Sequence, residues 1–267
     1  MKRFIPFFPK GPLVSVIRLS GVIAASARGG TLSDHALAPA IERAFAKGKP
    51  TAVALVLNSP GGSPVQSALI AARIRRLAED KKIPVHAFVE DVAASGGYWL
   101  ACAADDIWVD DSSILGSIGV ISAGFGFSDA IARIGIERRV YTAGANKSLL
   151  DPFRPENPDD IARLREIQDQ IHRAFIAHVS TRRGDRLRPD EDLFTGRFWA
   201  GGRAVELGLA DGVAHIAPKL KTLYGDKVRV QHFGPKRGLF QRFGASLTAE
   251  ITAGVEDRAL WSRYGVN

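Results

Sequence analysis

Two hydrophobic periodicities alternate along this chain. Short apolar, largely β-branched runs recur at residues 13–19, 52–57, 83–89, 107–109 and 136–141, and each leads into a turn carrying glycine. Runs of this length closed by glycine predict buried strands. Between them the spacing changes to threes and fours. Residues 34–47 place Leu37, Ile41, Ala44 and Phe45 on one face, with Asp34 as the expected N-cap. Residues 64–80 repeat the pattern through Val65, Leu69, Ile74 and Leu77, with Pro64 in the first turn. Residues 158–183 form the longest stripe, through Ile161, Leu164, Ile167, Ile171, Phe175 and Val179. A further helix closes at 204–207, before Gly208. Strands alternating with helices predict an α/β fold with mostly parallel strands. In such a fold, ligand and catalytic groups belong at the carboxyl ends of strands, where the glycine turns lie.

The composition narrows the class. At 267 residues, 46% hydrophobic and 24% charged, the chain has the makings of a folded α/β body. Cys102 is the sole cysteine, so no intrachain disulfide can form. No apolar run approaches the ~20 residues of a membrane span. Residues 1–12, with Phe4, Phe7 and Phe8 between prolines, read as an aromatic arm that packs on a neighbour or touches a membrane surface. Residues 13–215 read as the main domain. Residues 216–267 read as a basic C-terminal extension; within it, residues 216–244 hold seven lysines and arginines against Asp226, much of the net charge of +8. Such a stretch meets anionic lipid or an acidic partner, or is simply a solvated tail. No nucleic-acid-binding signature accompanies it, and no nucleic-acid partner is expected. Leu247, Ile251, Val255, Leu260 and Trp261 read as a docking element, against a second subunit or against the chain's own surface.

The chemistry concentrates at Ser95. The strand of residues 83–90 delivers it into the small-residue turn Ala93-Ala94-Ser95-Gly96-Gly97, and a helix-compatible segment follows. That placement exposes a hydroxyl and turns backbone amides toward a developing oxyanion; the turn can equally be a tight turn and nothing more. A serine nucleophile needs a base. The six histidines are His35, His86, His172, His178, His215 and His232, and none lies in a small-residue turn at a strand end beside a carboxylate. A Ser-His protease is therefore unsupported. Lys147, in the loop after residues 136–141, is the other candidate, provided that its small and apolar neighbours bury it. A solvated loop lysine is the alternative. Ser117, after Gly116, could orient an ammonium or merely satisfy a turn. Gly61 and Gly62, after the second strand, could join Gly96 around an oxyanion or serve only as turn glycines.

Taken in order, Asn58-Ser59-Pro60-Gly61-Gly62, residues 91–98, Gly116-Ser117-Ile118-Gly119-Val120 and the Lys147 loop resemble the signal peptide peptidase A family, Ser-Lys dyad serine proteases. Residues 194–211 also look like that family. The resemblance implies a ClpP/crotonase-like fold. It implies Ser95 as nucleophile, Lys147 as general base and Ser117 as its orienting hydroxyl. Gly62 and Gly96 become oxyanion donors, and Gly61 with Gly62 lines an extended substrate. It implies no cofactor and no metal. The expected substrates are hydrophobic peptides, such as cleaved signal peptides, or unfolded segments. The chain is expected to be a short, single-repeat form without a membrane anchor, assembled into a homo-oligomeric ring. It is expected in the cytoplasm, with peripheral contact at the inner face of the membrane. Asn146 and Ser148 depart from the family's usual residues around the lysine. Readings from other classes are a crotonase-like acyl-CoA enzyme and a non-catalytic membrane scaffold.

Overall fold

A computed structural model describes residues 11–25, 31–144, 146–188, 191–234 and 260–265. The aromatic arm, apart from residues 11 and 12, and most of the C-terminal docking pattern lie outside the described residues.

Three parallel strands form the centre: β1 (Leu13–Ser20), β2 (Ala52–Ser59) and β3 (Val85–Ala94). Each is apolar on both faces because helices or turns cover both. Val53, Leu55 and Leu57 of β2 enter the main core, while Ala52, Ala54 and Val56 enter a smaller one behind the sheet. The ten-residue β3 is shared lengthwise. Its first half pairs in parallel with β4 (Asp106–Val109), and its second half with β5 (Ile114–Gly116). Strand β6 (Phe198–Ala200) runs antiparallel beyond β5, and β7 (Gly212–Val213) pairs with β4. The β2–β3 register shifts between Leu57 and Ser59, which sets Ser59 opposite Ala93. That irregularity brings the glycine turn after β2 up against the serine turn after β3.

Helices α1 (Asp34–Ala46), α2 (Pro64–Lys81) and α3 (Gly96–Ala101) close the main core. Ser33, rather than Asp34, caps α1, accepting from the Ala36 amide. Asp34 is instead held by Arg73 of α2 through two 2.7 Å hydrogen bonds. These bonds outweigh partial burial and keep its carboxyl below the usual range. Ser63 caps α2, and Pro64 takes the first helical position.

The strand expected over residues 136–141 is absent: residues 136–142 are irregular and almost wholly exposed. They follow the short helix α4 (Ser128–Arg133), which buries no residue. With no neighbouring strand to pair with, β-branched composition alone does not make a strand. Helix α5 (Pro158–Arg183) spans the expected range, but its stripe is buried only at Phe175 and Val179, with Arg183 buried beyond it. Ile167 is 48% exposed, so the first half of the helix stands clear of the body. A one-turn 3-10 helix (Gly184–Arg186) and α6 (Gly201–Glu206) follow. The sheet continues past residue 215. Helix α7 (Ile216–Tyr224) packs Leu220 behind the sheet, and β8 (Arg229–Phe233) pairs in parallel with β1 as an edge strand.

Candidate active site

Ser95 sits where β3 passes into α3, at φ 52° and ψ −123°. A non-glycine residue at positive φ is strained, and the strain is held by its neighbours. Its amide donates to the Gly116 carbonyl at 2.8 Å, and its carbonyl accepts from the Tyr98 and Trp99 amides at 2.9 and 3.0 Å. Three fixed backbone bonds therefore dictate the turn, leaving the side chain partly exposed at the end of the sheet. Tyr98 locks the helix beneath: it is fully buried and donates to the Leu209 carbonyl at 2.8 Å.

The glycines around Ser95 are required by close approach. A Cβ on Gly61 would lie 2.8 Å from the Ser95 Cβ, the Gly96 nitrogen and the Ala94 oxygen, and Gly61 has φ 102°. Gly62, at φ 137°, lies against the backbone of Ile23. A Cβ on Gly96 would lie 3.4 Å from the Gly62 nitrogen and 2.4 Å from the Ser67 oxygen. The Gly62 and Gly96 nitrogens thus lie near one another in the turns packed around Ser95, and among the described residues neither donates to a protein acceptor. Unengaged backbone N–H groups are what a tetrahedral oxyanion needs.

Ser117 follows β5 at φ 52° and is 8% exposed. Its amide donates to the Arg197 carbonyl at 2.7 Å, and its hydroxyl accepts from the Tyr264 phenol at 3.1 Å. Tyr264 has no counterpart among the candidates drawn from the sequence. Only an isolated aromatic near the end of the chain marks it, and that signal is too common to single it out.

Lys147 stands apart. It is exposed, its amide donates to the Gly144 carbonyl at 3.3 Å, and no hydrogen bond joins its side chain to Ser95 or Ser117 among the described residues. The expected burial among small and apolar neighbours is therefore not met within a single chain. The reason is the lobe that carries it. The described residues of 119–157 are mostly exposed, and they include largely open apolar side chains: Phe125 is 81% exposed, Ile134 70% and Tyr141 90%. A hollow of about 700 Å³ opens between this lobe and the start of α5, lined in part by Asn146 and Ser148.

Four of the six histidines are engaged elsewhere. His86 joins Asp106 and Tyr224, His172 meets the Ile118 carbonyl, His178 the Trp99 carbonyl and His215 Asp110. None hydrogen-bonds Ser95 among the described residues. Cys102 is buried, and burial pushes its thiol up to about 12, so it offers no second nucleophile. No cluster of three or more metal-ligating side chains is present among the described residues.

Residues 77–224 match the description "Peptidase family S49". The chain is 46% identical, over its whole length, to 39% of a protein of Brucella melitensis biotype 1 named Na(+)/H(+) antiporter NhaA. It is 31% identical to a putative signal peptide peptidase SppA of Enterococcus faecium, over 66% of this chain and 51% of that one. The chain thus spans between about two fifths and one half of these relatives. No helix of the described residues is long and apolar enough to cross a membrane. In three dimensions the chain resembles a 1510-N membrane-bound stomatin-specific protease bound to a substrate peptide. The TM-score is 0.53 at 16% identity, over 92% of this chain and 99% of the other, which establishes the ClpP-like α/β fold. By its sequence match over residues 77–224, the chain belongs to peptidase family S49.

Proposed function

We propose that the chain is a serine endopeptidase in which Ser95 is the nucleophile and Lys147 the general base. The observation that carries the reading is the strained Ser95 turn, with two unengaged amides, Gly62 and Gly96, in the turns packed against it. Neutral Lys147 takes the Ser95 proton as Oγ attacks a peptide carbonyl, and the amides receive the oxyanion. Lys147 then protonates the leaving amine. A water molecule, deprotonated by the same lysine, releases the acyl group. The Ser117 hydroxyl orients the ammonium. The substrate lies extended beside Gly61 and Gly62 through backbone hydrogen bonds.

A lysine acts as a base only where burial destabilises its ammonium. Lys147 is exposed in one chain, on a lobe that leaves large apolar residues such as Phe125, Ile134 and Tyr141 exposed. Both facts favour a site completed by self-association, in which a ring of identical subunits encloses the lobe and brings Lys147 to Ser95. Apolar Val65 and Leu69, exposed on the first turns of α2 just after Gly62, favour hydrophobic peptides as substrates. Signal-peptide remnants and unfolded segments have that character. Contact with a membrane surface, through the aromatic arm and the basic extension, would bring such peptides near.

A fluorophosphonate probe tests this reading against the acyl-CoA alternative. The expected result is stoichiometric labelling, mapped by mass to Ser95 and lost in Ser95→Ala and Lys147→Ala. No labelling at Ser95 under assembling conditions would overturn it.

A further inference from the structure

Residues 260–265 pack on the back of the Ser95 corner. Tyr264 is 8% exposed and clusters with Val92 and Ala94 of β3, with Ile114 of β5 and Trp261 alongside. Its ring meets Phe198 edge-on at 5.2 Å, and Phe198 pairs with Gly116 across β5 and β6. Its phenol donates to the Ser117 oxygen at 3.1 Å. Gly116, the residue between, accepts the Ser95 amide. A continuous path of bonded groups therefore joins Tyr264 to both hydroxyls of the site.

Two roles fit a tail at this place: a plug that blocks the site and a brace that holds it. Side-chain alternation along β3 distinguishes them. Val92 and Ala94 point away from the core that Ala93 enters, so Tyr264 reaches Ser117 from the opposite face of the sheet. Ser95 keeps its partial exposure with Tyr264 in position, whereas Ser117 is closed over. The tail covers the orienting hydroxyl and leaves the nucleophile open.

We infer that Tyr264 is a positioning residue of the Ser95 site, fixing the Ser117 hydroxyl so that it presents one free acceptor position to the catalytic ammonium. The inference rests on the Ser95–Lys147 reading above. A serine oxygen has two acceptor positions and one rotatable proton. Tyr264 fills one acceptor position and so restricts how Ser117 turns. Without the phenol, Ser117 rotates among several partners and offers the ammonium two acceptor positions. The charged form of the base is then better stabilised and the geometry less defined.

Tyr264→Phe removes the hydroxyl and keeps the ring packing on Phe198, Val92 and Ala94. For hydrolysis of a fluorogenic apolar peptide by the full chain, the expected result is a fall in kcat of about three- to tenfold, the worth of one neutral hydrogen bond, with KM little changed. The acid limb of the kcat profile should move to higher pH, because the base holds its proton more tightly. Ser117→Ala should abolish the difference, so that the double variant is no slower than Ser117→Ala alone. Unchanged kcat and pH profile in Tyr264→Phe, additive losses in the double variant, or a rise in activity (the signature of a plug) would each overturn the inference. Ser95→Ala separates the two levels. If it remains active, the nucleophile assignment fails; if it is inactive while Tyr264→Phe matches wild type, only the role of Tyr264 fails.

Discussion

Ser95 combines strain with exposure, and the two have the same source. Bonds from Gly116, Tyr98 and Trp99 fix its backbone at φ 52°, a conformation that glycine adopts without penalty. Ser95→Gly should therefore be inactive yet more stable, by about 1 kcal/mol, as read from urea unfolding midpoints. A loss of stability would mean that the serine side chain holds the turn. Gly61 has no such latitude. A methyl group there meets Ser95, Gly96 and Ala94 at 2.8 Å from a backbone with φ 102°, so Gly61→Ala should lose both stability and peptide hydrolysis. Cys102 gives a contrasting test. Its thiol is pushed up to about 12 and lies in the core, so a thiol reagent at neutral pH should modify it only as fast as the protein unfolds.

At the scale of elements, α5 is two helices in one. Its second half is tied to the body, for Arg183 reaches both oxygens of Asp211 at 2.7 and 3.2 Å and the Gly208 carbonyl at 2.8 Å. Burial raises the Asp211 carboxyl, but the arginine outweighs it and leaves the group below its usual range. Arg183→Ala removes the main partner of that carboxylate, leaving it the Ile107 amide at 2.7 Å and Arg186 at 3.3 Å, and should cost about 1.5–3 kcal/mol in denaturant unfolding, with Arg183→Ala/Asp211→Ala recovering part of the loss. His178, one turn earlier, stacks on Trp99 at 4.8 Å. Burial holds its ring below the ordinary imidazole range, against the hydrogen bond to the Trp99 carbonyl. The unfolded chain therefore binds this proton more tightly. The contribution of His178 to stability is level above about pH 6.5 and is lost as the pH falls from there through the lowered value. Unfolding midpoints compared at about pH 7.5 and about pH 5 should fall less in His178→Gln than in wild type. The same helix marks how far sequence reading carries. Its bounds followed from Pro158 and the spacing of its apolar residues, because those are local. That Ile167 stays exposed while Phe175 is buried depends on where the sheet ends, which spacing along one helix does not contain. The strand read at residues 136–141 failed for a related reason. A strand exists only with a partner, and no described strand pairs with that loop.

For the whole molecule, the corner around Ser95 was legible because its parts are backbone parts. Gly61, Gly62, Gly96 and Ser117 sit in turns whose composition announces them, and the fold gathers all of them around Ser95. Lys147 was legible as a residue type at a loop position, but in one chain it is exposed, not buried as the sequence reading required. The lobe of residues 119–157 exposes Phe125, Ile134 and Tyr141 together, a surface that a lone soluble chain seldom leaves open. If assembly covers it, peptide hydrolysis per subunit should fall on dilution in step with loss of the oligomer in light scattering. Ile134→Asp should break both together. Activity that stays constant while the oligomer dissociates would place the complete site within one chain. The central claim, that Ser95 and Lys147 act as one unit, is tested most directly by initial rates of peptide hydrolysis for wild type, Ser95→Ala, Lys147→Ala and the double variant, at concentrations where the protein is assembled. Each single variant should lose at least about a thousandfold in kcat, and the double variant should be no worse than either. Either single variant retaining most of the wild-type rate would contradict the claim.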